Sequence, residues 1–571
     1  MTAPPLSQAA SQGDQPWLAT YPRDIDWAKP IIPESMVAMF DESVAKFGDR
    51  PFVDFMGRRW TYREIGRMVD RVAAGLRRQG VTAGTKVGLC LPNTPYFIAS
   101  YFGVLKAGGT VVTFNPLYVA EELAHQVADS QTEIMITIDV AAIFPKIQPL
   151  LGQHQLRLIV NCCLADALPW PKSWLFKLAK RDQIARPAPD PRVISFDALQ
   201  SDDPITAPTI DPVTTVAVLQ YTGGTTGLPK GAMLSHANLT ANVEQLDRWF
   251  NVERADQERV LCVLPFFHVF AMTVAMNIGV RWGAELILLP RFEIKLLMET
   301  IQRRKPSFFP GVPTLFKAVL DYTRATPVDL RSIRHCLSGG AGLPVELKQA
   351  FEAASGCVLL EGYGLSETSP VSTANPFDGI IKAGSIGLPL PNVHIEFRDL
   401  DDATQRAKPG QPGELCVRGP NVMMGYWGKP KETEATMVDG LLRTGDVGYF
   451  DQDGYIVLVD RIKDLIICSG YNVYPRVIEE AIYRHPDVVA VTVVGMPDPY
   501  RGEAPAAFVQ LRPDGAATSD ELMSFLKDKL SPIEMPRLIE IRAELPKTMI
   551  GKLSKKELRA ELLASAKGEK S

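Results

Sequence analysis

Residues 221–231 read YTGGTTGLPKG, which puts glycine, hydroxyl side chains and one lysine in a short stretch. The apolar run at 215–219 before it predicts a buried strand, and a helix is expected from about Ser235. A glycine-rich loop between a strand and a helix turns its backbone N–H groups inward and cradles an anion. Thr222, Thr225 and Thr226 add hydroxyl donors and Lys230 adds a mobile positive charge, so the stretch suits a polyphosphate. The order differs from the Walker pattern, in which Gly-Lys-Ser/Thr closes the loop. Here Pro229 precedes Lys230 and Gly231 follows it. Taken alone, the same composition also describes an ordinary surface loop.

Composition bounds the rest. A chain of 571 residues is too long for one compact core, so at least two domains are expected. The hydrophobic fraction of 46% and charged fraction of 22% are those of a globular protein. A net charge of −4 gives no case for nucleic-acid binding. No apolar run reaches the roughly 18 residues of a membrane span. The start, MTAPPLSQAASQGDQPW, lacks the basic and apolar parts of a signal peptide, so residues 1–30 are expected to form a polar, disordered tail. Eight scattered cysteines without a CxxC spacing predict neither zinc nor disulfides and fit a reducing cytoplasm.

Along the chain, strand-like and helix-like segments alternate. Helices are expected at 36–47, from the Thr61/Glu64 capping-box pattern to about 78, at 96–106 and at 120–128; strands are expected at 86–91, 110–114 and 134–138. Such alternation argues for a parallel sheet covered on both faces. After the glycine-rich loop it resumes, with apolar runs ending in Pro265-Phe266-Phe267-His268, Gly311-Val312-Pro313, Gly339-Gly340-Ala341 and Glu361-Gly362-Tyr363-Gly364. Ligands of open parallel sheets bind where strands end, so these loops are the expected site. From about residue 383, short strands and Gly/Pro turns predict a small β-rich unit. The charged cluster at 460–464 reads as a domain joint, with a small α+β module beyond it. The stretch 168–181, LPWPKSWLFKLAKR, mixes tryptophans with lysines; it suits an interfacial helix on anionic lipid, an amphipathic helix capping the domain, or a rim of the substrate site. Residues 185–212, rich in Pro and Asp, read as a surface connection.

Several motifs line up in one order. YTGGTTGLPKG is followed by Tyr363-Gly364-Leu365-Ser366-Glu367-Thr368, by Thr444-Gly445-Asp446, by Asp460-Arg461-Ile462-Lys463-Asp464 with Ser469-Gly470-Tyr471-Asn472, and by Leu545-Pro546-Lys547-Thr548 with Gly551-Lys552. This series resembles the adenylate-forming superfamily of acyl-CoA synthetases, adenylation domains and luciferases over roughly residues 35–565. Ser366 stands where threonine is usual. Gly223-Gly224 and the run 469–475 look most like bacterial long-chain fatty acyl-CoA ligases. The resemblance implies an α/β fold. A large N-terminal domain, 31–459, would hold two parallel-sheet subdomains and a small β-rich one, and a mobile α+β C-terminal domain would span 460–571.

The resemblance also implies chemistry: ATP and a fatty acid give acyl-AMP and pyrophosphate, then coenzyme A displaces AMP. ATP would be held by Thr222, Gly223, Gly224, Thr225, Thr226, Gly227 and Lys230, by Gly339, Gly340, Ala341, Glu361, Gly362, Tyr363, Gly364 and Thr368, and by Asp446 and Arg461 at the ribose. Lys552, His268 and Glu367 would be catalytic, with Thr225 and Glu367 at a magnesium ion. Phe267, Phe270, Val312 and Pro313 would line the acyl entrance, although an aromatic stripe also describes plain core. Lys463, Ser469, Gly470 and Tyr471 would serve the hinge and coenzyme A. Alternatives are a fatty acyl-AMP ligase serving a carrier protein, a medium-chain or aryl acid–CoA ligase, and a non-catalytic lipid- or nucleotide-binding protein. The expected location is the cytoplasm, with peripheral membrane contact through 168–181; a homodimer is admitted, not dictated.

Overall fold

A computed structural model describes residues 15–204, 208–222, 229–250, 256–469, 471–547 and 553–568. The first half builds a seven-stranded sheet in the order Val193–Ser195, Leu158–Cys162, Ile134–Ile138, Lys86–Leu89, Thr110–Thr113, Val216–Thr222, Lys230–Ser235. All neighbours are parallel except the last pair. Ile134–Ile138 and Thr110–Thr113 are buried at every position, as strands covered on both faces must be. The capping box expected at Thr61 is present: Thr61 Oγ1 accepts from the Glu64 N–H and the Glu64 carboxylate accepts from the Thr61 N–H. The helix it opens, Tyr62–Arg78, packs so closely on helix Pro95–Ala107 that a Cβ on Gly103 would meet Val72 Cγ1 at 2.6 Å.

Three expectations change here. The glycine-rich loop joins two antiparallel strands, with Thr222 opposite Lys230, and the helix His236–Phe250 begins only after the second strand. Lys230 therefore starts a strand, and a helix N-terminus does not follow the loop directly. The stretch 185–212 is not only a connection, since it supplies the edge strand Val193–Ser195 and the short helix Phe196–Leu199. Residues 15–30 are not a tail. Trp17 is fully buried and packs with Trp27, His394 and Phe450, and Trp27 Nε1 donates to Val393 O at 3.2 Å. Large aromatic surface at Trp17 and Trp27 outweighs the polar composition around them. Residues 1–14 lie outside the described chain.

A second sheet has nine strands, ordered Leu388–Pro389, Val371–Ala374, Val358–Gly364, His335–Ser338, Phe308–Gly311, Arg259–Cys262, Glu285–Leu288, Pro51–Phe55, Arg58–Thr61. Its six central strands run parallel, with antiparallel edges. The run Glu361-Gly362-Tyr363-Gly364 is strand rather than loop, because Val371–Ala374 returns antiparallel beside it. A small antiparallel sheet of His394–Arg398, Gly413–Arg418, Leu441–Phe450, Met437–Val438 and Ile456–Arg461 follows. The 3₁₀ turn Ile462–Asp464 then leads into a last sheet of Tyr471–Val473, Ile466–Cys468, Gly502–Leu511, Val488–Asp498 and Leu538–Arg542, covered by helices Pro475–Tyr483, Ser519–Leu526 and Lys555–Gly568. Among the described residues no helix is long and apolar enough to cross a membrane.

Buried amides join the units. Asn93, after strand Lys86–Leu89, donates Nδ2 to Cys262 O (3.1 Å) and Leu264 O (2.9 Å) and accepts from Phe266 N (2.8 Å). Asn242 clamps Val371 through both its backbone groups, and Asn421 Nδ2 reaches Thr368 O at 2.8 Å. Asn93→Ala leaves Leu264 O and the Phe266 N–H without these partners in a dry seam. Its expected cost is on the order of 3 kcal/mol, read as a lowered melting temperature. A melting curve superimposable on wild type would show that the seam does not depend on this side chain.

Candidate active site

The ends of strands from three sheets meet around residues the sequence singled out. Lys230, at the start of its strand, holds its ammonium 5.2 Å from the Tyr426 ring centroid, and Tyr426 Oη donates to Glu367 Oε1 at 2.7 Å. Residues 424–427 lie along that strand: Met424 N donates to Met233 O, Met233 N to Gly425 O and Trp427 N to Gly231 O. Trp427 in turn sits 4.2 Å below Lys86 Nζ. These aromatics were not foreseen. The only signal is a Tyr-Trp pair flanked by Gly425 and Gly428, too short to distinguish from a turn. Gly223, Gly224, Thr225, Thr226 and Gly227 lie outside the described residues; of Thr222 only the backbone, paired with Lys230, is described.

Asp446 and Arg461 face each other across the small sheet. Asp446 is buried, and its carboxylate accepts from Tyr363 Oη (2.6 Å) and Arg461 Nε (2.8 Å). Burial and the adjacent Asp446 carboxylate hold the Tyr363 phenol well above its usual range. Two strands of one sheet and one of another thus hold three side chains in a fixed array. Gly364 has no room for a side chain, since a Cβ there would lie 1.8 Å from Pro370 O. Glu367 follows in the 3₁₀ turn Ser366–Thr368. Thr368, in contrast, is fully buried. Its hydroxyl accepts from Leu365 N and donates to Pro370 O, so it shapes this turn and presents no surface to a nucleotide.

The loop after strand His335–Ser338 is exposed at Gly340 and Ala341, and Gly340 has φ +80°, a left-handed conformation suited to glycine. Gly339 is buried against Phe270, whose Cζ would lie 3.0 Å from a Cβ at that position. The loop is pinned by Glu361, which accepts from Leu343 N at 3.1 Å. Glu361 is buried, so its first role is to hold the loop. Burial pushes its carboxyl up to about 7, against the pull of the Arg476 guanidinium and the Leu343 N–H. Arg476 comes from the C-terminal unit: its Nη2 would lie 3.1 Å from a Cβ on Gly342, its Nε binds Glu480 (2.9 Å) and its backbone N–H binds Asp460 (2.8 Å). A single arginine after Pro475 gave no sequence signal.

His268 caps the short helix Val269–Ala271, its Nδ1 accepting from Phe270 N at 3.3 Å. A neutral imidazole that accepts at Nδ1 carries its proton on Nε2. Phe267 is half-buried, and its carbonyl accepts from Gln220 Nε2 at 3.0 Å, which ties this loop to the strand preceding the glycine-rich stretch. A buried π-helical turn, Met272–Asn277, follows, and Thr273 Oγ1 donates to Ser369 O beside the Glu367 turn. Single π turns recur at functional sites. Phe270 belongs to the main apolar core, whereas Val312, capping the helix that Pro313 begins, belongs to a separate core.

At the joint, Lys463 lies in the 3₁₀ turn and its carbonyl accepts from Arg559 Nη1 at 3.4 Å. Ser469 has φ +52° and donates its N–H to Arg501 O, and Tyr471 is exposed. Gly470 and Lys552 lie outside the described residues. Lys547 and Leu553, which flank residues 548–552, pair as a β-bridge. Among the described residues no three His, Cys, Asp or Glu side chains cluster to hold a metal.

Glu361 supplies a pH test. Its carboxyl rises from the usual 4.5 in an unfolded chain to about 7 in the fold. The folded state holds more protons between those values, so stability falls as pH rises through this window and is flat outside it. Glu361→Gln keeps the shape and removes the titration. Its melting temperature relative to wild type should climb between these pH values and then level off. Arg476→Ala should move the upper end of the window higher. A difference between wild type and Glu361→Gln that stays constant from about pH 4 to 8 would show that Glu361 titrates normally.

Comparison with known proteins places this geometry. The model of the AMP-binding enzyme family matches residues 40–427, and that of the AMP-binding enzyme C-terminal domain matches residues 477–552. The long-chain-fatty-acid–CoA ligase of Bacillus subtilis (strain 168) is 42% identical over 554 residues, covering 96% of this chain and 98% of that one. The 4-coumarate–CoA ligase 1 of Arabidopsis thaliana is 33% identical over 535 residues, covering 91% of each. The crystal structure of ATP-bound MatB from Rhodopseudomonas palustris superposes with a TM-score of 0.80 at 26% identity, covering 92% of this chain and 99% of that one. Motif order, paired parallel sheets and a separate C-terminal unit agree with these matches, and the chain belongs to the AMP-binding, adenylate-forming enzyme family.

Proposed function

We propose that the chain is an AMP-forming long-chain fatty acid–CoA ligase. The observation that carries the reading is 42% identity to the Bacillus subtilis ligase across 96% of the chain. The array Tyr363–Asp446–Arg461 supports it, as a ready-made ribose site. In the first step a carboxylate oxygen attacks the α-phosphorus of ATP, and the bond to pyrophosphate breaks. In the second, the coenzyme A sulfur attacks the acyl carbonyl carbon, AMP leaves with the bonding pair, and the thiol proton passes to solvent.

The residues fit these steps. An ionised carboxylate offers about four lone-pair sites. Asp446 commits one each to Tyr363 and Arg461, which leaves others for the two ribose hydroxyls. The same bond fixes the Tyr363 ring, so its face can support adenine laid on the Gly339–Gly340–Ala341 backbone, with Glu361 holding the loop beneath and Gly362 and Gly364 keeping the strand slim. Joining two anions needs positive charge at the transition state. Lys230 and Lys552 are assigned to supply it, with His268 beside the carboxylate. Magnesium at Glu367, with Thr225, would neutralise phosphate charge. Phe267 and Phe270 are assigned to the mouth of the acyl site. The 3₁₀ turn at Lys463 is assigned as the hinge about which residues 460–571 turn between steps, bringing in Lys552 for the first and the Ser469–Tyr471 side, with Gly470, for the second.

The deciding experiment is mass spectrometry of products formed from ATP, magnesium and acids of graded length and aromaticity, with and without coenzyme A. Acyl-CoA and AMP from long chains are expected. Turnover confined to aryl or medium-chain acids, or acyl-AMP accumulating in the presence of coenzyme A, would replace this reading with the corresponding relative's. Lys552→Ala should slow acyl-AMP formation by about 10²–10³ while leaving thioester formation from supplied acyl-AMP within a few-fold. Equal loss in both half-reactions would remove Lys552 from its role.

A further inference from the structure

The helix Lys172–Ala179 stands off the body of the protein with no buried residue. Trp170 is 85% exposed, Trp174 60%, Leu175 49% and Leu178 44%. Trp174 and Leu178 are four apart and share a face, with Leu175 beside them, while Ser173 and Phe176 turn toward the protein and are half-buried. So much large apolar surface gathered on one short element departs from the scattered exposure normal on a globular surface. Between residues 168 and 181 there are four basic side chains and no acidic one, on a chain of net charge −4. Lys172 and Lys177 are anchored, to Met56 O at 3.1 Å and to Asp166 at 2.7 Å, and Lys180 and Arg181 are exposed past the end of the helix. A cleft of about 580 Å³ opens beside it, and its wall carries both Arg58 and Asp166, with Leu168, Trp170 and Ser173.

We propose that this helix is a lipid-docking surface that seats the protein on an anionic bilayer, with Trp170, Trp174, Leu175 and Leu178 in the headgroup layer and Lys180 and Arg181 on the phosphates. Tryptophan and leucine on one face with basic side chains alongside form the amphipathic pattern that lies in an interface. The local charge is opposite in sign to that of the whole chain, so anionic lipid is attracted here even though the protein as a whole is repelled. Docking here does not depend on the acid–CoA ligase reading. If that reading holds, the same contact brings the enzyme to the phase where long-chain acids accumulate.

The test uses the full chain with vesicles of pure phosphatidylcholine and of equal parts phosphatidylcholine and phosphatidylglycerol. Wild type should sediment with the anionic vesicles and shift its tryptophan emission to the blue, and added salt should weaken both. Trp170→Ser/Trp174→Ser and, separately, Lys180→Glu/Arg181→Glu should each weaken binding about tenfold or more. Both pairs are exposed, so melting temperature and turnover of a short, water-soluble acid should stay at wild-type values. No sedimentation at low salt, or equal sedimentation by wild type and both variants, would overturn the proposal. So would a dimer in solution that the tryptophan variant dissolves, since a second copy would then be the occupant.

Discussion

The site exists because buried amide side chains satisfy backbone groups where two sheets meet. At the ends of parallel strands the ladder stops, and the last carbonyls and N–H groups need partners in a region sealed from water. Asn93 reaches from the first sheet to Cys262, Leu264 and Phe266 of the second. Asn242 holds Val371, Gln245 reaches Pro391 O, and Asn421 holds the Glu367 turn through Thr368. Each bond crosses from one unit to another. Together they hold in place the strand ends and turns that carry Lys230, His268 and Glu367.

A second coupling runs from the Tyr363–Asp446–Arg461 array to the joint. Arg461 ends the strand Ile456–Arg461, pairs with Asp446 and leads directly into the 3₁₀ turn that begins the C-terminal unit. Asp460, beside it, accepts from the backbone N–H of Arg476. Whatever binds at Asp446 and Arg461 would therefore touch the residue from which the smaller unit departs. Rotation about Ile462–Asp464 cannot occur without altering the surroundings of both Arg461 and Arg476.

Much of this was legible in the sequence, for physical reasons. Helix Met36–Phe47, the capping box at Thr61 and strand Ile134–Ile138 follow from periodicity and local hydrogen bonding, and fall where they were expected. The order of motifs located the strand ends. What sequence missed depends on partners distant in the chain. The run 362–364 becomes strand because Val371–Ala374 returns beside it, and Trp17 is buried because the small sheet, more than 350 residues later, offers Phe450 and His394. Tyr426 and Arg476 lack any local pattern; their importance lies in what they touch. The membership of Phe270 and Val312 in different cores was likewise hidden, because a tunnel is a property of packing and not of composition.

The carboxyl groups of Asp446 and Glu361 are treated differently by the fold. Asp446 meets a guanidinium and a phenol, both donors, and so is held as an acceptor. Glu361 is buried under the loop with one backbone donor, and burial keeps its proton on up to about pH 7. The guanidinium that pulls the other way belongs to Arg476, in the C-terminal unit. Removing that guanidinium would push the Glu361 carboxyl higher still, so the charge beneath the loop responds to where Arg476 stands. The protonation of a carboxyl under the loop 339–343 is thus tied to a side chain of the C-terminal unit, Arg476, which lies against Gly342.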